Sequence, residues 1–384
     1  MSSERAVSIT GPTDNPRPAL IRQWLVQHFE LSRGGGPSNL RAMEGLRGFA
    51  VFLVFLVHYV TLVQPWIDEQ SVVLVLATAL HTIGNTGVDL FFVLSGYLIY
   101  SSLIARPQKF TRFMSRRVQR IYPAFVPVFL AYVALSFVFP AESKIPRSLT
   151  EGIVYLAQNF LLLPGLFPIA PMITVAWSLS YEFFFYLTIP LVIVIFNLRQ
   201  RSVLWRACFF SSLTAMTMIY CVAFGGHIRL TMFVAGILLH EAINSRRVAA
   251  PGSLVAFVAL VAGLLATLLP VTGALGSAVK VPALFVSFFV LCLSLFGHPD
   301  AWLARAFSWT PLRWLGNMSY SYYLLHGLAL KASFLAFARF FPGTEQGSVL
   351  FWAFLPVMFG LTLIPTTALF LSVERPLSLV AKGN

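Results

Sequence analysis

Residues 46–64 read LRGFAVFLVFLVHYVTLVQ, and this stretch decides the fold. It is apolar and long enough to cross a bilayer as an α-helix, which rises about 1.5 Å per residue. Arg47 lies at its start and His58 well inside it. They are eleven positions apart, which places both on one helix face, about 16 Å apart along the axis. An ionisable ring at this depth indicates a functional site, although a histidine bonded to a carbonyl of a neighbouring helix explains it equally well.

The composition of the chain also indicates a membrane protein. Its 384 residues are 58% hydrophobic and 11% charged, with a mean hydropathy of +0.79, whereas a soluble domain carries about 25% charged residues. The net charge of +13 lies in short segments between apolar stretches, which is typical of cytoplasmic membrane loops rather than of nucleic-acid binding. The three cysteines lie inside apolar stretches without metal-ligand spacing, so we expect neither disulfides nor a metal site.

The apolar stretches predict an all-α fold, a polytopic membrane helical bundle of about ten transmembrane helices. The predicted spans are 48–64, 84–104, 121–139, 177–196, 203–224, 228–243, 252–270, 280–296, 317–338 and 349–372. Of the 27 lysine and arginine residues, 21 lie in segments on one side of these spans: 1–47, 105–120, 197–206, 244–251, 297–316 and 373–384. The positive-inside rule therefore predicts that both termini are cytoplasmic. Residues 72–83 and 153–163 are apolar but short, which favours re-entrant or interfacial helices on the exterior side.

The expected domain organisation is simple. Residues 1–40 form a flexible cytoplasmic tail with room for one interfacial helix, residues 41–376 form the membrane domain, and residues 377–384 form a C-terminal cytoplasmic tail. Glu374 and Arg375 lie at the cytoplasmic rim of the last span, where we expect an ion pair that fixes the helix end. The exterior loops are too short to hold a soluble domain, so the membrane domain itself must carry the chemistry.

Polar residues lie within several other predicted spans. Asp89 is near the outer end of the second span, where either a favourable charge at a helix N-terminus or a functional carboxylate fits. Ser178 and Glu182 share a face of the fourth span, and we favour a function for Glu182 because it lies among aromatic residues. Tyr323 and His326 share a face of the ninth span, with His326 near mid-depth.

The loop that follows the second span is basic, and its Arg117 and Arg120 are one helical turn apart. Guanidinium groups suit phosphates, although topogenic charge or binding of anionic lipids also explains them. Counted from the predicted boundaries, these arginines and Arg47 lie at the inner face, the two histidines near the middle, and Asp89 and Glu182 in the outer half. An anion site, a base and acidic partners at successive depths are what group transfer across a membrane requires.

These motifs resemble the acyltransferase 3 family of membrane O-acyltransferases. The matching segments, in the family's order and over about residues 42–376, are MEGLRGFAVFLVFLVHYV, GVDLFFVLSGYLI, RRVQRIYP, WSLSYEFFFY, LGNMSYSYYLLH and VERP. The spacing of Arg47 and His58 and the WSLSxE box are the most specific of them. The family includes bacterial acetylases of O-antigen, exopolysaccharide and nodulation factors, and macrolide acylases. Its members resemble one another in moving an acyl group, commonly acetyl from acetyl-CoA, onto a hydroxyl.

The resemblance implies roles for particular residues. His58 matches the family's essential histidine and Arg47 its companion, Arg117 and Arg120 match the cytoplasmic arginine motif, and Glu182 is the acidic residue of the WSLSxE box. It also implies an enzyme of the cell inner membrane with acetyl-CoA as acyl donor, a saccharide or lipid-linked glycan as acceptor, and no metal or nucleic acid. Many members carry a C-terminal hydrolase-like domain that this sequence lacks, so we expect direct transfer to the acceptor.

The expected mechanism begins with the phosphates of acyl-CoA on the inner arginines and its thioester near His58. His58 then either deprotonates the acceptor hydroxyl, for which a free imidazole pKa of about 6.5 is well matched, or attacks the thioester and carries the acyl group itself. Glu182 or Asp89 would orient the imidazole or neutralise its charged form.

The remaining candidates belong to the substrate site. Ser178, Tyr181 or backbone amides would bind the tetrahedral oxyanion, and Tyr323 and His326 complete the set. Acylation of a small hydrophobic glycoside or macrolide is an alternative activity. A secondary transporter also places His, Asp and Glu at mid-depth, but the internal symmetry common in transporters is not visible here. A lipid-binding scaffold is a third class, in which His58 would be dispensable.

Overall fold

The computed structural model describes residues 16–31, 39–68, 71–245, 248–342 and 349–379. The helices within these ranges are α1 Pro16–Phe29, α2 Asn39–Val63, α3 Val72–Gly84, α4 Thr86–Ala105, α5 Phe110–Val138, α6 Leu149–Phe160, α7 Trp177–Ile195, α8 Val203–Phe224, α9 Thr231–Ser245, α10 Ser253–Ala266, α11 Gly273–Gly297, α12 Trp302–Phe307, α13 Thr310–Asn317, α14 Ser319–Ala338 and α15 Val349–Leu369. A π-helical segment, Phe370–Leu379, follows α15 directly. The described residues form no strand beyond one isolated bridge between Pro164 and Phe167, which confirms the predicted all-α class.

The chain divides into two compact units, residues 1–35 and residues 36–384. The described part of the first unit contains α1, so a helix does form over the apolar patch of the N-terminal tail. All the other helices belong to the second unit. The predicted domain limits at residues 40 and 376 stay predictions.

Seven helical segments of the described chain have the length and apolar composition needed to cross a membrane. They are Arg41–Trp66, Val72–Ala105, Phe110–Val138, Thr174–Ile195, Val203–Phe224, Gly273–Gly297 and Val349–Leu379. This confirms the predicted class, an all-helical membrane bundle. The orientation of the bundle in the membrane stays a prediction, and the cytoplasmic and exterior sides are named accordingly below.

The three other predicted spans are helical, but two of them are short and the third carries polar side chains. α9 has 15 residues and α10 has 14, so each is only about 20 Å long, less than the ~30 Å thickness of a hydrocarbon core. α14 has 20 residues, but its first half carries serine, tyrosine and histidine side chains that are buried in the protein. The count of ten crossings therefore stays a prediction, whereas helices at all ten places are observed.

The sequence suggested a short re-entrant or interfacial helix over residues 72–83, separate from the next span. In the structure these residues belong to α3, which is followed almost directly by α4. α3 and α4 are separated only by Asn85, which has a right-handed helical conformation, and together they make one 34-residue apolar segment. The two glycines around the junction pack against α2, since an added Cβ at Gly84 or Gly87 would lie 2.6 Å or 2.4 Å from an α2 carbonyl oxygen. The glycines thus mark a close contact between this segment and α2.

The helix containing the opening stretch, α2, lies at the centre of the second unit. Its N-terminal half packs closely on α13: a Cβ at Gly48 would lie 2.0 Å from the carbonyl oxygen of Leu312, and one at Gly316 would lie 1.7 Å from that of Glu44. Small residues permit this approach of two backbones. Next to it, buried Glu44 and Arg313 form an ion pair at 3.0 Å. This packing holds α2 in place against its neighbours.

Candidate active site

One cavity collects the arginines that the sequence singled out. Arg47 from α2, Arg117 and Arg120 from α5, and Glu182 from α7 line it, and its volume is about 140 Å³. We call it the arginine cavity. Helices α2, α4, α5, α7 and α14 all contribute to its lining, and the α4 residues extend from Val88 to Ile99. The predicted grouping of the three arginines is thus present in the structure.

Arg117 is the arginine of this cavity that is best suited to receive an anion. Its guanidinium lies over the rings of Phe113 and Tyr186, at 5.1 Å and 5.6 Å from their centroids. Its Nε is buried and has no hydrogen-bond partner among the described residues. A buried donor without a partner is unfavourable, so an anionic ligand that accepts from it would be bound strongly.

Arg120, by contrast, already has a carboxylate partner. Its Nη1 lies 2.8 Å from the Glu374 carboxylate, which is fully buried and also accepts from the backbone N–H of Ser321 at 2.9 Å and its Oγ at 2.6 Å. Glu374 was expected to form an ion pair at the helix end beside Arg375. That prediction missed Arg120 because the two residues are 254 positions apart and no local spacing relates them.

Glu182 lines the same cavity as the three arginines. Its Oε1 accepts hydrogen bonds from Ser95 at 3.0 Å and from Tyr186 at 2.5 Å, and Tyr186 is the same ring that Arg117 covers. The predicted depth of Glu182 in the membrane stays a prediction.

His58 lines a second cavity, of about 310 Å³, which we call the histidine cavity. It lies toward the other end of α2, on the predicted exterior side. Its polar lining comes from α2, the end of α5, α14 and the connections before α6 and α7: His58, Thr61, Tyr132, Ser136, Glu142, Lys144, Thr174 and Lys331. Glu142 and Lys331 form an ion pair at 2.5 Å. The hydrogen bond and charge of Lys331 lower the pKa of the Glu142 carboxyl, and burial lowers the pKa of Lys144.

His326 packs against His58, with the two ring centroids 5.1 Å apart. The His326 side chain is fully buried, and its Nδ1 lies 2.8 Å and 3.0 Å from the carbonyl oxygens of Tyr322 and Tyr323. Carbonyls only accept, so Nδ1 carries the proton and Nε2 carries the lone pair. This Nε2 is buried without a partner among the described residues. His326 therefore offers an unused acceptor in the immediate surroundings of His58.

A small hydroxyl cluster separates the two cavities. The hydroxyls of Ser178 and Tyr323 are 2.7 Å apart and lie 3.2 Å and 3.0 Å from the carbonyl oxygen of Val175. Ser178 and Tyr323 line the arginine cavity, whereas Val175 lines the histidine cavity. We call this cluster the partition. The two cavities thus approach each other at a place that carries hydroxyl donors.

Two predicted site residues lie apart from both cavities. Asp89 forms a two-point ion pair with Arg229, at 2.8 Å to Nε and 2.7 Å to Nη2, and the Tyr181 hydroxyl lies 2.6 Å from Nδ1 of His227. Neither Asp89 nor Tyr181 is part of the lining of the two cavities. Asp89 therefore has the partner that a buried carboxylate needs, but this partner is an arginine and not His58.

Only part of these contacts could be read from the sequence. Glu374 holds Arg120 across 254 positions and Ser95 holds Glu182 across 87, so no local spacing relates either pair, whereas Tyr186 lies four residues after Glu182, a helical spacing that points to their contact. Lys331 had one signal, because it is a charge within a predicted span. Within the described residues, no group of three or more His, Cys, Asp or Glu side chains is arranged to hold a metal ion.

Comparisons with known proteins agree with these motifs. The family model described as "Acyltransferase domain", that of acyltransferase 3, matches residues 40–371. The acyltransferase MdmB of Streptomyces mycarofaciens is 38% identical over 161 residues, which cover 40% of this chain and 39% of that protein. The O-acetyltransferase OatA of Staphylococcus aureus is 26% identical over 325 residues, which cover 76% of this chain and 50% of that protein.

These alignments span half or less of the length of the curated relatives. No solved structure matches the chain. The family model, however, extends over most of the chain, from α2 to the start of the π-helical segment that follows α15. The chain therefore belongs to the acyltransferase 3 family, as its motifs led us to expect.

Proposed function

We propose that this protein is a membrane O-acyltransferase that moves an acyl group, acetyl in the first instance, from cytoplasmic acyl-CoA to a hydroxyl on the exterior side of the inner membrane. The observation that carries the proposal is the pair of cavities along α2, one with arginines and one with His58, separated only by the partition. The names of two relatives, an O-acetyltransferase and an acyltransferase, support the same reaction class.

The donor binds in the arginine cavity. Arg117 and Arg47 bind the pyrophosphate of acyl-CoA by donating hydrogen bonds to it. Arg120 is held in position by Glu374. Glu182 is a positioning residue on this side, since it fixes the Tyr186 ring under Arg117. The arm of coenzyme A then extends along α2 toward the partition, over the ~16 Å that separate Arg47 from His58 in helix rise.

His58 acts as the base. It removes the proton from the acceptor hydroxyl while the hydroxyl oxygen forms a bond to the thioester carbonyl carbon, and the carbon–sulfur bond then breaks so that coenzyme A leaves as a thiolate that takes up a proton. His326 Nε2 accepts a hydrogen bond from the His58 imidazolium. The partition hydroxyls of Ser178 and Tyr323 donate to the oxyanion. In the alternative, His58 attacks the thioester carbon and the carbon–sulfur bond breaks, which gives an acyl-imidazole and a thiolate. The acceptor hydroxyl then attacks the acyl carbon, the carbon–nitrogen bond breaks, and the proton of the hydroxyl passes to the thiolate or to solvent.

The acceptor binds in the histidine cavity. The charged and hydroxyl side chains of its lining suit a saccharide, which presents many hydroxyl groups, and we infer a cell-surface or lipid-linked glycan. A macrolide or another small hydrophobic glycoside is the second candidate, because the acyltransferase 3 family, to which the chain belongs, includes macrolide acylases. Asp89 and Arg229 support the packing of α4 against the start of α9 in either case.

Replacing Arg117 by glutamine tests the donor site. A charge-assisted contact to a phosphate contributes about 1.5–3 kcal/mol, so the dissociation constant for acetyl-CoA is expected to rise by about 10- to 100-fold. Isothermal titration calorimetry on purified protein measures it. The matched control is Arg201→Gln, since Arg201 is an exposed arginine that stacks on Trp205 outside the cavities. Normal affinity in Arg117→Gln would refute the donor site, and absence of acetyl-CoA binding to the unaltered protein would favour a transporter.

A further inference from the structure

A third cavity lies at the connection between α4 and α5, and nothing in the reaction described above uses it. It has a volume of about 440 Å³ and is lined by Ser102, Ala105, Arg106, Pro107, Gln108, Arg112 and Arg116. We call it the outer basic cavity. None of its three arginines forms an ion pair with a described residue; Arg116 donates a hydrogen bond to Gln108.

Two arginines of this cavity lie on α5 in register with an arginine of the arginine cavity. Arg112, Arg116 and Arg120 are four residues apart on α5, so their side chains follow one another on successive turns, over about 12 Å in all. On α4, Leu98 lines the arginine cavity and Ser102 and Ala105 line the outer basic cavity, again at helical spacing. The two cavities are therefore successive sections of one groove between α4 and α5.

Like charges at this spacing repel one another. Two arginines four residues apart destabilise a helix slightly. Arg120 is paired with Glu374, but the exposed Arg112 and Arg116 form no ion pair with a described carboxylate. Guanidinium groups bind phosphate through paired hydrogen bonds. An anion bound in the outer basic cavity would relieve this repulsion, and a ligand with phosphates at two separated places would reach both cavities.

We propose that the outer basic cavity binds the ribose 3′-phosphate of coenzyme A through Arg112 and Arg116. This inference rests on the proposed function. The pyrophosphate lies closer to the thioester than the 3′-phosphate does, so a donor whose thioester reaches the partition has its pyrophosphate in the arginine cavity and its 3′-phosphate farther out along α5. The 3′-phosphate is a dianion, and its site distinguishes coenzyme A from donors that lack it.

The test compares coenzyme A with 3′-dephospho-coenzyme A. Dissociation constants of both are measured by calorimetry for the unaltered full chain and for the Arg112→Gln,Arg116→Gln double variant, in phosphatidylcholine nanodiscs with and without phosphatidylglycerol. The unaltered protein is expected to bind coenzyme A about 10- to 100-fold more tightly than the dephospho form. In the double variant this preference disappears, and affinity for the dephospho form is unchanged. Lys109→Gln, a change of a neighbouring exposed lysine outside the cavity, keeps the preference.

Each contrary outcome has its own meaning. Equal binding of the two ligands to the unaltered protein, or a preference that survives in the double variant, overturns the 3′-phosphate site while the proposed function stands. If the unaltered protein binds both ligands more weakly in nanodiscs with phosphatidylglycerol than in those without it, the cavity binds a lipid phosphate. This result also overturns the 3′-phosphate site. Absence of binding of either ligand to the unaltered protein overturns the proposed function and this inference with it.

Discussion

Replacing His58 by glutamine is expected to lower the rate of acyl transfer by about 10²- to 10⁴-fold, the range that a general base contributes. Glutamine keeps the size and polarity of the side chain but cannot take a proton from the acceptor hydroxyl. Acetyl-CoA binding is expected to be unchanged, because His58 lines the histidine cavity and not the arginine cavity. The two quantities are measured on the same membranes, as transfer of labelled acetyl groups and as equilibrium binding of acetyl-CoA.

The matched control for this change is His240→Gln. His240 is a half-buried histidine of α9 that packs against the rings of Tyr97 and Tyr100 and lines neither cavity. Its replacement is expected to leave the transfer rate within about threefold, an effect of less than ~1 kcal/mol. A His58→Gln protein that transfers acetyl groups at the unaltered rate would show that His58 only fills space beside His326.

The second large effect concerns stability and lies outside the site. The Glu241 carboxylate is 1% exposed and accepts hydrogen bonds from the Tyr100 hydroxyl at 2.6 Å and from Arg206, at 2.7 Å to Nε and 2.8 Å to Nη2. It thereby joins α4, α8 and α9. In Glu241→Gln the Arg206 guanidinium, whose side chain is 11% exposed, loses its counter-charge. The free energy of unfolding is expected to fall by about 3–5 kcal/mol.

Thermal unfolding of the purified protein in detergent measures this change. The control is Glu142→Gln, which removes a carboxylate of the same type from the exposed ion pair with Lys331 and is expected to leave the unfolding temperature nearly unchanged. The difference between the two variants isolates burial, since each loses one carboxylate–cation pair. Equal unfolding temperatures for both variants would mean that the Glu241 cluster does not hold the three helices together.

The sequence predicts the helices of this protein well because its apolar stretches are long. Arg47 and His58 lie on one helix, α2, as their spacing indicates, and helices cover every predicted span. The lengths of α9 and α10 were not predictable in the same way. Hydropathy reports that a stretch is apolar, but it does not distinguish a helix that crosses lipid from a shorter one that is covered by other helices.

The contacts between helices are what the sequence does not contain. Asp89 and Arg229 are 140 residues apart, and Arg120 and Glu374 are 254 apart, so no periodicity relates either pair. Ser95 and Glu182 are 87 residues apart, so their hydrogen bond could not be read from local spacing either. Residue types at helical spacing thus indicated which side chains matter, and tertiary packing decided which of them meet.

In the proposed mechanism, a donor on the cytoplasmic side acylates an acceptor on the exterior side through His58. Sealed inside-out vesicles from cells that express the protein, supplied with labelled acetyl-CoA on their outer face, test it most directly. We predict alkali-labile label on glycan in the vesicle lumen with the unaltered protein and none above background with His58→Gln at equal protein level. Equal labelling by both proteins, or labelling only when acetyl-CoA is enclosed in the lumen, would contradict the account.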